Sequence, residues 1–79
     1  RVTICDGKDE LVCYLGENAE VVTLPGWPNQ TDEDGRVLRT QLLEPGKFNS
    51  PHGLTTDAHG NLFVSEWLLG GRFTKLEKL

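Results

Sequence analysis

The chain has 79 residues and a formal net charge of −4, which bounds it to one small domain. With no cluster of Lys or Arg, it lacks the concentrated positive surface that nucleic acid requires. Its 37% hydrophobic and 25% charged content excludes wholesale disorder, and no apolar run approaches the roughly 20 residues of a membrane-crossing helix, so no membrane span is expected.

The chain opens on Arg1-Val2-Thr3-Ile4 with no initiating Met and no signal- or transit-peptide pattern. Such an opening is expected of a processed chain or of a piece of a longer one. Residues Arg1 to Cys5 are rich in β-branched side chains and stop at Asp6-Gly7, a turn signal, so they predict a strand. Leu11 to Leu15 predicts a second strand ended by Gly16. Ala19 to Leu24 predicts a third, giving a three-stranded meander.

Cys5 and Cys13 flank the first turn. Pairing about its centre near Asp9 sets them roughly opposite each other on adjacent antiparallel strands, where a disulfide is geometrically allowed. The alternative is a pair of small apolar residues with free thiols. The short loop favours the thiols, because a bridge there gains little entropy. No second Cys/His pair completes a zinc site around them.

Pro25-Gly26-Trp27-Pro28 breaks the strand pattern, since proline cannot donate to a sheet ladder. Asn29 to Gly35 is polar and acidic and reads as an exposed loop. Arg36 to Leu43 is open between a short strand and a helical turn, and Glu44-Pro45-Gly46 closes it. Beyond Phe48 to Gly53 come Leu54 to Thr56 and then Asp57-Ala58-His59-Gly60. That tetrad has Asp first and Gly last, as a type I turn wants, with the Asp57 carboxylate available to backbone N–H groups. Strands are predicted over Asn61 to Ser65 and Arg72 to Leu76. Nothing reads as a long amphipathic helix, so the fold class is all-β and antiparallel.

A weak internal repeat sets Val2 to Asp6 against Leu62 to Glu66, about sixty residues on. It makes the Asp6 and Glu66 carboxylates equivalent, in structural turns and not as an acid/base pair. A single β-meander of this kind cannot bury both faces and needs stacked neighbours.

The run GKFNSPHGLTTDAHGNLFVS, Gly46 to Ser65, resembles an NHL repeat, filling every fixed position of the pattern G-x-F-x-x-P-x-G-[apolar]-x-x-D-x-x-G-x-[apolar]-x-V-[small]. Val2 to Leu15 looks like the later part of a preceding blade, with Cys5-Asp6 where the family often has Ala-Asp. The resemblance implies four-stranded antiparallel β-propeller blades, usually six to a ring, with fewer than two in this chain. Residues 1–26 would form the second part of one blade, 27–46 an insertion or linker loop, and 47–79 the first part of the next. Such a chain is incomplete alone, and its expected partners are other copies of itself or the remainder of a longer propeller chain.

His52 lies in Pro51-His52-Gly53, just before an inner strand. The phrase Pro-His-Gly-Leu-Thr-x-Asp is similar to one in peptidylglycine amidating lyases, whose histidine there binds zinc; the resemblance implies a metal ligand at His52, and the plain alternative is packing or turn stabilisation. A zinc site needs about three protein ligands, and the resemblance would take the others from blades outside this chain. Asp32-Glu33-Asp34-Gly35 has some of the alternation of a calcium loop, but Gln30 and Gln41 stand where carboxylates are expected. A solvated acidic turn is the competing reading.

Asn29-Gln30-Thr31 is an N-glycosylation sequon on a predicted loop, relevant to an extracellular chain. Trp27 reads as an anchor for the insertion or as an exposed binding platform. Trp67 and Phe73 read as packing between blades, with Trp67, Trp27 and His52 the candidate binding residues. No Ser, Cys or His has the spacing of a nucleophile with its base, so catalysis by the chain alone is not expected. The expected function is a binding or assembly scaffold. The alternatives are a segment of a metal-dependent lyase or hydrolase propeller, and a structural subunit of an extracellular fibre.

Overall fold

Seven short β-strands and one 3-10 turn account for the regular structure in the computed structural model, which describes all residues, 1–79. Strands β1 (Val2–Cys5) and β2 (Leu11–Leu15) form an antiparallel hairpin. Strands β3 (Gln30–Thr31) and β4 (Val37–Leu38) form a minimal one. Strands β5 (Pro51–Thr56), β6 (Leu62–Glu66) and β7 (Arg72–Leu76) form a three-stranded antiparallel meander. The chain is thus all-β, built of small antiparallel sheets, none closed into a barrel; the largest has three strands, not four.

Three of the four hairpin turns repeat one device. Asp6, Asp32 and Asp57 each accept, through Oδ1, the backbone N–H groups two and four residues ahead, at 2.8–3.0 Å. Each also donates its own N–H to the carbonyl four residues on: Glu10, Arg36 and Asn61. The residue three places after each aspartate has a left-handed backbone: Asp9 at φ 61°, Gly35 at 79° and Gly60 at 82°. Glycine takes that conformation freely, and aspartate is among the few side chains that tolerate it. The turns recur about every 25 residues, which corrects the sixty-residue alignment: the counterpart of Asp6 is Asp57, not Glu66.

The expected third strand over Ala19 to Leu24 is absent. Val21–Thr23 instead winds into a 3-10 turn, in which Val21, Thr23 and Leu24 donate N–H groups three residues back. The Thr23 hydroxyl joins by donating to the Glu20 carbonyl at 2.7 Å. The turn buries Val21 and leaves Val22 exposed, a trade that one strand at a bare sheet edge would not secure.

The core sits where two sheets meet. Alternation along β1 sends Val2 and Ile4 to one side, with Leu15 opposite Val2. That face lies on Leu62, Val64 and Leu76 of the second sheet, and Phe48 fills the seam. Gly16 makes the fit possible. It has φ +65°, its carbonyl accepts the Phe48 N–H at 2.9 Å, and a Cβ there would lie 2.5 Å from the Phe48 ring. Only 7 of 79 residues are buried, so this core is small even at roughly 1.5–3 kcal/mol for each buried apolar side chain.

Glu66 anchors the segment that delivers Phe48. Its carboxylate has no solvent exposure. Oε2 accepts the N–H groups of Asn49 and Ser50 at 2.6 and 2.9 Å, and Oε1 accepts Arg72 Nε at 2.6 Å. The same guanidinium donates to the carbonyls of Glu44 and Lys47. Removing one member of such a pair strands a buried charge, which costs about 3–5 kcal/mol. Glu66→Ala is therefore expected to lower the unfolding free energy by about that amount, read from denaturant midpoints; a loss below about 1 kcal/mol, the worth of an exposed pair, contradicts this role.

Candidate functional site

The same end of both sheets opens into a cleft of about 390 Å³. Its walls come from four places: the end of β2 and its continuation (Glu17, Asn18, Val22), Trp27 of the insertion, the Phe48–His52 approach to β5, and Trp67 just past β6. Trp27, His52 and Trp67, the three candidate binding residues, are therefore brought together.

Each is held differently. Trp27 donates its indole N–H to the Asn49 carbonyl at 2.8 Å and keeps 36% of its surface exposed, so it is at once an anchor for the insertion and part of the cleft wall. Trp67 is fixed by its backbone, which exchanges hydrogen bonds with Ser50: Trp67 N–H to Ser50 carbonyl at 2.9 Å, Ser50 hydroxyl to Trp67 carbonyl at 2.8 Å. Its indole is 71% exposed and lies 6.1 Å from the His52 ring, centroid to centroid, at a tilt of 33°. Asn49 is buried; its Nδ2 donates to the Leu42 carbonyl at 3.0 Å, while its Oδ1 has no partner. At the rim the Arg1 guanidinium pairs with Glu17 at 3.0 Å and lies 3.6 Å from the centre of the Tyr14 ring.

Other candidate readings fall within and outside the cleft. Within this chain His52 has no companions for a metal, since no group of three or more His, Cys, Asp or Glu side chains gathers; the further ligands the resemblance implies would come from other blades. The acidic Asp32-Glu33-Asp34-Gly35 stretch is the β3–β4 turn, with Asp32 Oδ1 committed to backbone donors. That makes it a hairpin device and not a calcium loop. Asn29 is half-buried, and its Oδ1 accepts the Leu69 N–H at 2.6 Å, tying the insertion to the β6–β7 connection. Cys5 and Cys13 are free, exposed thiols. A register shift after Ile4 sets Cys13 across from Ile4 and Cys5 across from Leu11, so the two are not cross-strand partners.

Sequence reasoning missed Asn49, Glu66 and Asn18 as contributors. Asn49 and Asn18 have no motif; Glu66 occupies an inward strand position, where a charge pays only if a partner such as Arg72 reaches it, and that pairing is a tertiary fact. No protein-family model, curated protein or solved structure matches the chain.

Asp57 carries the one clear electrostatic signature. Asn61 Nδ2 donates to its Oδ2 at 2.9 Å. That bond, with the turn N–H groups of Asn61 and His59 and the Lys75 charge, holds the carboxyl below its ordinary value of 3.8 despite partial desolvation. A carboxyl with a depressed folded-state pKa stabilises the fold above its unfolded value and loses that contribution as pH falls through the folded one. The β5–β6 turn should therefore loosen only below pH 3.8. A carbon-detected titration of Asp57 is expected to give a midpoint under that value, moving upward in Asn61→Ala; a midpoint at or above it contradicts the assignment.

Proposed function

We propose that the chain is a segment of an NHL-type β-propeller, serving as a binding and assembly scaffold whose outer sheet faces are covered by other copies or by the remainder of a longer chain. The observation that carries this reading is the direction in which the two sheets stack. The aspartate turns make β1–β2 the counterpart of β5–β6. The face of β1–β2 bearing Val2 and Ile4 packs on the Val64 side of the second sheet and leaves the other side, bearing Thr55, Phe63, Ser65 and Phe73, uncovered.

That second face has nothing on it: Phe73 is 85% exposed, and Phe63 is exposed beside it. The far side of β1–β2, with Val12 and Tyr14, is bare as well. Each sheet thus keeps one face open to a further chain or segment. The accessible surface supports this. It is 5,997 Å², against about 4,800 Å² for a self-contained monomer of this mass. The radius of gyration is 14.5 Å, against about 11.6 Å for a globular chain of this length. The NHL-like run from Gly46 to Ser65 supplies the family part of the reading.

Sedimentation of the 79-residue chain tests it. The expected result is concentration-dependent association through the open faces, with Phe73→Glu shifting the mass toward one chain while leaving the β-sheet circular dichroism unchanged. A folded chain that remains monomeric up to high concentration, or association indifferent to Phe73→Glu, overturns the reading.

A further inference from the structure

We propose that the cleft walled by Trp27, His52 and Trp67 binds a neutral pyranose sugar, free or as the end unit of a glycan, by stacking it on indole and bonding its hydroxyls to unspent polar groups. This rests on the scaffold reading only in calling the chain a binding protein; it does not need the chain to assemble. The cleft lies at one end of the seam between the two sheets, and its lining does not include Val12, Tyr14, Phe63 or Phe73 of the bare faces.

The ligand class follows from the lining. The one guanidinium at the rim is already paired with Glu17, so the cleft holds no cluster of free side-chain cations for an anion. Metal ions find no ligand set. A peptide adding a strand to a sheet edge would need unpaired backbone groups, whereas the unspent polar groups here are side chains; a proline-rich segment, which docks on aromatic grooves, is the competitor the titration distinguishes. What remains is a volume of about 390 Å³, within the range of small-molecule sites, with broad aromatic surface and both kinds of hydrogen-bonding capacity.

That capacity is unspent. The side chains of Asn18 and His52 make no hydrogen bond within the chain, and the Ser50 hydroxyl donates one while its lone pairs stay available. Sugar hydroxyls donate and accept, and the C–H faces of a pyranose lie flat on indole.

The measurement is direct because the chain contains two tryptophans and both line the cleft. Intrinsic fluorescence of the intact chain is titrated with glucose, galactose, N-acetylglucosamine, cellobiose and maltose up to about 20 mM, a range that captures weak, millimolar affinity. The expected result is a saturable emission change with at least one of them. Trp67→Ala, at an exposed site that leaves Trp27 as reporter, should weaken binding at least about tenfold, as expected for one lost aromatic contact. His52→Ala should weaken it less, and Phe73→Glu, which is not among the lining residues, not at all.

No saturable change with any sugar overturns the proposal. So does binding that survives Trp67→Ala undiminished, or a response to a proline-rich peptide or to inorganic phosphate and none to the sugars. Because Phe73→Glu alters assembly alone, a failure here is separable from a failure of the scaffold reading.

Discussion

Glu66 is the constraint around which the molecule is arranged. A carboxylate without solvent contact must be matched by donors. Here the donors are the N–H groups of Asn49 and Ser50 and the guanidinium of Arg72. Meeting that demand pins the 44–50 segment against the ends of β6 and β7. Phe48 is then held in the seam against Gly16, and the two sheets have something to close upon. The cleft walls follow from the same placement: Ser50 and Asn49, once fixed, supply the hydrogen bonds that position Trp67 and Trp27.

Around this clamp the architecture is modular. Three of the four hairpins close through an aspartate that satisfies its own turn amides, so local structure there needs little help from the core. Tertiary structure, by contrast, depends on one seam lined by few apolar side chains. A chain with sturdy local turns and a thin shared core suits a unit stabilised by neighbours, because packing between sheets supplies what a single sheet lacks. The insertion, residues 27–46, is bonded to distant parts of the chain by the Trp27 and Asn29 side chains and by its Leu42 carbonyl, which accepts from Asn49. Those bonds convert a polar loop into one wall of the cleft.

Much of the strand pattern was legible in the residues because it is local. The Asp57-to-Gly60 turn announces itself by aspartate first and glycine last, and β5 to β7 follow from the alternation on either side. The same turn at Asp6 was masked by Asp9 in the glycine position, and at Asp32 by strands of only two residues, so the shared period was missed. Residues 19–24 have strand-like composition, yet no neighbouring edge pairs with them, and they took the 3-10 form that buries Val21. The candidate binding residues were legible one by one, but their convergence was not. Trp27, His52 and Trp67 span forty positions in the sequence, and the bonds that join them run through backbone carbonyls, which leave no trace in side-chain identity.

The central claim is that β1–β2 lies on the Val64 face of the second sheet and leaves the Phe73 face bare. Methyl-resolved nuclear Overhauser measurements on the 79-residue chain test it most directly. Cross-peaks from Val2 to Val64 and from Val2 to the Phe48 ring are the predicted result. Contacts from Val2 to Phe73, or no contacts between the two sheets at all, would contradict it.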